Sequence, residues 1–584
     1  MGYPLLPAAR IPSRRPSRWA FRRSARRAGA AAGREWYTTG IAVAEGPTNE
    51  TSEARRFVSA SIAAPDGRTR PMTAVERKAE RKANPPLGMI TLTVMLGLIM
   101  AIIDTSIVNV ALNDMAGNLG SSVDEIGWVA TGYILATVII MPLNGWLTAR
   151  FGRRNFYAAC VALFTISSFM CGTATSVWQL VFYRIIQGLG GGALQPTAQA
   201  ILFESYPPGK RAGAMAVFGL GAMVGPAIGP TLGGVIVDNY SWPLIFYINI
   251  PIGIVAFLMT LAYIRDPVYL KRDRSPVDVI GLMLLTAGVG SVQYVLERGQ
   301  REDWFSSTTI VVLTTVAVVS LVVFCFREWY DPRPLVDLKV FKSRAFSAGN
   351  AIGIITGFGL FGTALIIPLF LQNVLGFTAT ETGLALLPGA IATAISMPIA
   401  SRMVAKVDGR AMIAFGLLIF ASSAWWMGVI NQDSGYWDVF WPRAVQGFAL
   451  GFLFVPLSTA TLGEITRERM ANATGIYTLV RQLGGSLGIA ILQLMQTRFQ
   501  DTAYVALAAG VTSSNPSDSH FLDDLHGTAA ELYNLVMLNA TVISYDMVLR
   551  MCAIIFVLSV PLVLFLNWRR TPADPAAPAV AAAE

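Results

Sequence analysis

The sequence predicts an all-α membrane protein with 14 transmembrane helices, and three observations lead to this fold class. Of the 584 residues, 54% are hydrophobic and only 14% are charged, whereas soluble proteins carry about 25% charged residues. The mean hydropathy of the chain is +0.52. Between residues 88 and 567 lie fourteen apolar stretches, each near the roughly 20 residues that a helix needs to cross a bilayer.

The net charge of +9 predicts membrane topology rather than nucleic-acid binding. Nine arginines lie between Arg10 and Arg34 with no acid among them, and most other basic residues fall between apolar stretches. Residues 1–86 have no periodic apolar face, so we expect this segment to be disordered. Its Arg-rich composition also resembles an organellar transit peptide, and Met72 is an alternative start of the protein.

The basic residues also predict an orientation. With the amino terminus inside, the inner loops hold 21 Lys or Arg residues and the outer loops hold three or four. Because basic loops stay on the cytoplasmic side, we expect a multi-pass protein of the cytoplasmic (inner) membrane with both termini in the cytoplasm.

An internal repeat divides the chain. A Met-Pro pair at Met141 recurs at Met397, and the pattern Arg-x-x-Gln-Gly at Arg184 recurs at Arg443. We therefore expect two six-helix halves with two additional helices between them. The expected segments are the two halves 87–264 and 346–567, the linker helices 265–345, an outer loop 496–547 inside the second half, and a cytoplasmic tail 568–584.

Asp104 is the acid that most needs an explanation, because it lies well inside the first apolar stretch. A charge at that depth costs roughly 2.5–3.5 kcal/mol. Its expected partner is Arg184, and a purely structural alternative has the carboxylate satisfied by Arg184 or Asn109. The repeat places Asp104 opposite Leu360, so only the first half carries this acid.

Four sequence motifs follow one another along the first half. They are DTSIVNVAL from Asp104, GWLTARFGRR at 145–154, YRIIQGLGGGALQP at 183–196 and GLGAMVGPAIGPTLGG at 219–234. In order and form they resemble the motifs of the major facilitator superfamily, specifically its fourteen-span drug:proton antiporter branch, and most closely the EmrB type. The resemblance covers about residues 87–567. Ala149 departs from the branch, which usually has Asp there.

The resemblance implies roles for particular residues. Asp104 is associated with proton coupling, and Arg184 is expected to act with it. The loop motif at 145–154, the span-4 motif at 183–196 and the span-5 motif at 219–234 imply gating or helix packing, although the loop arginines could serve topology alone. The residues concerned are Gly145, Arg150, Gly152, Arg153, Arg154, Gln187, Gly188, Gly225, Pro226, Gly229, Pro230, Gly233 and Gly234. For the substrate pathway we expect Arg443, Arg481, Phe361 and Trp425.

These expectations define a proton-coupled antiporter that exports hydrophobic drugs or toxic small molecules. Its partners are the substrate, protons and lipid, and the resemblance implies a periplasmic adaptor and an outer-membrane channel. No enzyme activity, metal site, cofactor or nucleic-acid partner is expected. With one acid against Arg184, Arg443 and Arg481, neutral or weakly acidic compounds should be preferred over dications. Two alternatives remain, a dedicated exporter of one metabolite such as a siderophore or antibiotic, and a non-transporting receptor or scaffold.

Overall fold

A computed structural model describes residues 85–267, 277–510 and 529–566, and every regular element in these residues is helical. The fold class predicted from the sequence is confirmed. The α-helices, in chain order, are α1 Leu87–Leu119, α2 Val123–Ile140, α3 Asn144–Phe151, α4 Arg153–Gly172, α5 Val177–Ser205, α6 Arg211–Asn239, α7 Leu244–Tyr247, α8 Asn249–Tyr263, α9 Val279–Arg298, α10 Thr308–Tyr330, α11 Arg344–Asn373, α12 Ala379–Met403, α13 Gly409–Met427, α14 Tyr436–Gly463, α15 Met470–Ala508 and α16 Ala529–Ser559.

The number of membrane spans is the part of the fold prediction that is not confirmed. Among the described residues, 11 helices are long and apolar enough to cross a membrane, or 12 if α2 and α3 form one bent span. The two remaining predicted spans coincide with α5 and α6, which have 29 residues each. Arg184, Gln187 and Gln199 lower the hydropathy of α5.

The two halves repeat a local folding signal. Ser122 and Glu125 form a capping box at the start of α2, and Thr378 and Glu381 form the same box at the start of α12. In each, hydroxyl and carboxylate satisfy amide groups that have no partner within the helix. The Met-Pro pairs of the repeat differ, because the chain bends by 66° between α2 and α3 beside Pro142, whereas Pro398 lies inside the continuous α12.

The core runs across both halves. One cluster of buried apolar residues includes members from Val94 to Leu479, and in it Phe218 of α6 stacks on Phe454 of α14 with the ring centroids 6.0 Å apart. The linker helix α9 also contacts both halves. Its Gln293 donates to Ser486 of α15 over 2.8 Å, and its Arg298 lies over the ring of Trp128 of α2.

The predicted outer loop 496–547 is wrong over most of its length. Helix α15 continues to Ala508 and α16 begins at Ala529, so within this predicted loop only 511–528 lies outside the described residues. Residues 1–84 of the predicted segment 1–86 and the predicted tail 568–584 also lie outside them. Gln500 donates to Thr541 over 2.9 Å, and Tyr504 packs on Tyr533. At about 1.5 Å per residue, the 39 residues of α15 exceed the roughly 30 Å apolar core of a bilayer.

Candidate functional site

A polar cluster lies inside the first half, centred on Asp104 of α1. Oδ2 of Asp104 forms an ion pair with Nη1 of Arg184 of α5 at 2.5 Å. Oδ1 accepts hydrogen bonds from Nε2 of Gln187 and from Nδ2 of Asn249, both at 2.9 Å. All four side chains are almost completely buried. The sequence predicted the pairing of Asp104 with Arg184, whereas Asn109 lies exposed on α1 and makes no bond to Asp104.

Arg184 makes further interactions besides its ion pair with Asp104. Its Nη1 also donates to Oε1 of Gln187 over 2.7 Å, and its Nε donates to the carbonyl of Val129. The Cζ atom lies 4.1 Å from the centroid of the Tyr133 ring, close enough for a cation–π interaction. Helices α1, α2, α5 and α8 therefore meet at one neutralised charge pair, and a change in that pair would act on all four.

Asn249 and Tyr133 were not predicted from the sequence. Asn249 begins α8, where Nδ2 donates to both Asp104 and Oγ of Ser168, at 2.9 Å and 3.1 Å. Its Oδ1 is buried and has no hydrogen-bond partner among the residues that the structure describes. The available signal was an asparagine within a predicted span, which is uncommon because an unpaired amide in hydrocarbon is costly.

The glycines of the span-5 motif bring α6 against α1 beside Asp104. A methyl group on Gly229 would lie 2.5 Å from Cβ of Ser106, and one on Gly225 would lie 2.8 Å from the carbonyl of Ile102. Gly233 faces Ile107 in the same way, whereas the corresponding position on Gly234 is open. The side chains of Pro226 and Pro230 lie outside the described residues. In the span-4 motif, Gly188 makes a similar close approach to the backbone of α2.

The loop motif at 145–154 occupies one end of the bundle, the end that the charge pattern predicts to be cytoplasmic. Arg153 pairs with Glu204 at 2.7 Å. The guanidinium of Arg154 donates to the carbonyl of Leu261 near the end of α8, and its amide donates to Asp266. Arg150 lies in the last turn of α3, where a cation interacts favourably with the helix dipole. Glu204 and Asp266, which lie elsewhere in the chain, thus supply acids to this motif. Within the motif itself, Ala149 replaces the usual Asp.

Two glycines fix the backbone of this end. Gly152 has φ +83 and ψ 150, a combination available essentially to glycine alone. Gly145 lies so close to α15 that a methyl group would be 2.7 Å from Cβ of Asn472. Nδ2 of Asn144 donates to the carbonyl of Ala471 over 2.9 Å, so the bend between α2 and α3 is bonded directly to the second half.

The second half repeats the arginine and glutamine of the cluster but not its acid. Arg443 donates through Nη1 to Oε1 of Gln446, and Nε2 of Gln446 donates to Oγ1 of Thr363 over 3.2 Å. Thr363, Arg443 and Gln446 each lie 259 positions after Asp104, Arg184 and Gln187. Thr363, and not Leu360, is therefore the counterpart of Asp104.

The other predicted pathway residues lie apart from this cluster. Arg481 of α15 lies over the rings of Phe454 and Tyr477, at the contact between the halves. Phe361 is half-buried against Gly485. Trp425 is 49% exposed and lines an open, largely apolar groove between α13 and α16. The exposed side chains along that groove indicate a lipid-facing surface.

Comparison with known proteins identifies the family to which this fold and these motifs belong. The family model for the Major Facilitator Superfamily matches residues 94–489. The chain belongs to the major facilitator superfamily. Membership of this transporter family, rather than of an enzyme family, agrees with the prediction from the motifs, and the EmrB type is confirmed by the relatives.

Similar members of the major facilitator superfamily include export and resistance proteins by name. The multidrug export protein EmrB of Escherichia coli (strain K12) is 38% identical over 76% of this chain and 86% of the relative. The fatty acid resistance protein FarB of Neisseria gonorrhoeae is 36% identical over the same shares. The crystal structure of the human organic anion transporter MFSD10 matches 82% of this chain over 100% of the MFSD10 chain. The TM-score of 0.55 at 13% sequence identity shows that the two proteins share a fold.

Proposed function

We propose that this chain exports hydrophobic small molecules across the cytoplasmic membrane in exchange for protons, with both termini in the cytoplasm. The observation that carries the proposal is the buried cluster in which Asp104 pairs with Arg184 and accepts from Gln187 and Asn249. The names of the relatives EmrB and FarB favour drugs and fatty acids as the substrate class. Intramembrane ionisable residues are functional by default.

The mechanism follows from what a proton does to this cluster. Protonation of Asp104 removes the negative charge that Arg184 faces at 2.5 Å and one acceptor for the amides of Gln187 and Asn249. The four helices that meet there then lose their shared bond. Rearrangement of α1 and α5 in response couples proton binding to opening of the substrate pathway, which the alternating access of repeated halves requires.

One proton is enough for useful export. A proton moving through 100 mV releases about 2.3 kcal/mol, and a tenfold concentration gradient of a neutral compound costs about 1.4 kcal/mol. Exchange of one proton for one neutral molecule therefore supports roughly 40-fold accumulation. We assign the substrate pathway to Arg443, Arg481 and Phe361, which are half-buried residues of the second half, and leave Trp425 to the lipid face.

The hairpin of α15 and α16, where Tyr504 packs on Tyr533, is the surface we assign to a periplasmic adaptor, which would join an outer-membrane channel. A dedicated exporter of one metabolite would share the whole cluster and differ in the pathway residues. A receptor or scaffold would keep the fold and lose the dependence on Asp104.

The deciding experiment is dye efflux from proteoliposomes driven by an imposed pH gradient. We expect Asp104→Asn to lose gradient-driven efflux while it still binds dye. Asp114→Asn is the matched control, because Asp114 lies near the end of the same helix and outside the cluster, and it should transport at the wild-type rate. Unchanged efflux in Asp104→Asn would overturn the coupling role, and no efflux from the wild type would favour a receptor or scaffold.

A further inference from the structure

The two halves contain the same chain of hydrogen bonds with one difference in charge. In the first half, Nη1 of Arg184 donates to Gln187, whose Nε2 donates to the carboxylate of Asp104. In the second half, Nη1 of Arg443 donates to Gln446, whose Nε2 donates to the hydroxyl of Thr363. A neutral hydroxyl therefore stands where the first half has a negative charge.

This substitution leaves a cation without an internal counter-ion. Within residues 85–267, 277–510 and 529–566, Arg443 forms no ion pair, and its Nε is buried without a hydrogen-bond partner. Arg184 instead has Asp104 at 2.5 Å and uses its Nε to bond Val129. An unpaired charge at membrane depth is costly, so occupation of this position by an anion is favourable.

Access and surroundings differ between the two arginines. Arg184 is 1% exposed, whereas Arg443 is half-buried, so part of its side chain stays accessible although its Nε is buried. Phe448 lies just beyond Arg443 on α14 and is half-buried, with its ring 5.0 Å from that of Phe452. A cation within this apolar helix suits a molecule with an acidic head and an apolar body.

We infer that Arg443, with Gln446 and Thr363 beside it, binds the carboxylate of an amphipathic anionic substrate. The substrate carboxylate supplies the charge that Asp104 supplies in the first half. Guanidinium and carboxylate match in geometry and charge. This assignment rests on the proposed export function and names the substrate class within it.

The test compares two ligands that differ in charge, dodecanoate and dodecanamide, binding to the full chain in nanodiscs of phosphatidylcholine. We expect wild type to bind dodecanoate roughly tenfold more tightly, the range that a hydrogen bond to a charged group supplies. Thr363→Asp should abolish the preference, because it provides an internal carboxylate. Thr363→Asn has a similar shape without the charge and should keep the preference. Arg443→Gln should lose it, and Arg443→Lys should retain part.

The outcomes separate this site from the export function. Equal affinity of wild type for both ligands, or an unchanged preference in Thr363→Asp, overturns the site. These two results are decisive even if Arg443→Gln does not fold. Gradient-driven efflux of a neutral dye is therefore measured separately, in wild type and in Asp114→Asn, whose substitution lies outside the site. If wild type moves no dye, the proposed export function is wrong, whereas the comparison of dodecanoate with dodecanamide still tests the carboxylate site. Loss of the preference in nanodiscs containing phosphatidylglycerol would assign Arg443 to lipid phosphate instead.

Discussion

Asp104 and Arg184 lie 80 positions apart in the sequence and 2.5 Å apart in the structure, with side chains 0% and 1% exposed. Both charges are therefore buried away from solvent. Removing one partner of a buried ion pair costs about 3–5 kcal/mol, because the other charge stays buried and unpaired. The stability of the four-helix junction and, in the proposed mechanism, its response to protons therefore depend on the same two side chains.

The first prediction separates these two roles. Arg184→Gln should lower the free energy of unfolding by about 3–5 kcal/mol, and the double variant Asp104→Asn/Arg184→Gln should recover most of that loss without recovering gradient-driven transport. Thermal unfolding in detergent measures the first effect and proteoliposome efflux the second. A double variant no more stable than Arg184→Gln would show that the pair is not the source of the loss.

A second prediction distinguishes glycines within the span-5 motif. Gly229→Ala should destabilise the protein by roughly 1–3 kcal/mol, because its methyl group would lie 2.5 Å from Cβ of Ser106. Gly234→Ala has open space around it and should be neutral or stabilising by about 0.5–1 kcal/mol, the difference in helix propensity. Thermal unfolding of the two variants compares them directly, and equal shifts would contradict the assigned contact.

A third prediction concerns the contact between α3 and α15. Gly145→Leu should separate the two helices, because even a methyl group there would be 2.7 Å from Asn472. Thr148 is 1% exposed, so Thr148→Cys should be unreactive toward a maleimide in wild type and reactive when Gly145→Leu is added. The background should carry Cys325→Ser, since Cys325 is exposed. Equal labelling with and without Gly145→Leu would mean that Gly145 does not hold this end closed.

The fourth prediction concerns Trp425, which sequence reasoning assigned to the substrate pathway. In the structure it is 49% exposed, and Leu558 in the same groove is 71% exposed. We expect Trp425→Leu to change neither KM nor maximal rate of dye efflux by more than about twofold, since surface substitutions usually have small effects. Phe361→Leu serves as the contrasting variant. A selective rise in KM for Trp425→Leu would return this residue to the pathway.

Sequence reasoning found the charged residues of the site and missed most of their neutral partners. A buried Asp and Arg are conspicuous because charge is rare in apolar stretches. Thr363 is not, because threonine is ordinary in a membrane helix, and the repeat was aligned on a Met-Pro pair 256 positions apart. The Arg-x-x-Gln-Gly repeat, 259 positions apart, does lead to Thr363, and the hydrogen bond from Gln446 identifies it as the counterpart of Asp104.

The extended helices were missed for a different physical reason. Hydropathy detects contact with lipid, whereas a helix forms wherever its backbone is hydrogen-bonded and its side chains find a neighbour. Polar pairs such as Gln500 with Thr541 therefore continue α15 and α16 beyond the apolar stretch. Conversely, α5 has a low hydropathy because it carries the polar residues of the site.

The unequal charges of the two halves have an electrical consequence. When a neutral cargo leaves against one entering proton, one elementary charge crosses the membrane, but a departing monoanion adds a second in the same electrical direction. At about 2.3 kcal/mol per charge for 100 mV, the available work doubles to about 4.6 kcal/mol. The membrane voltage would thus drive export of acids more strongly than export of neutral compounds. On depolarisation, acids would accumulate in the cell before neutral molecules did.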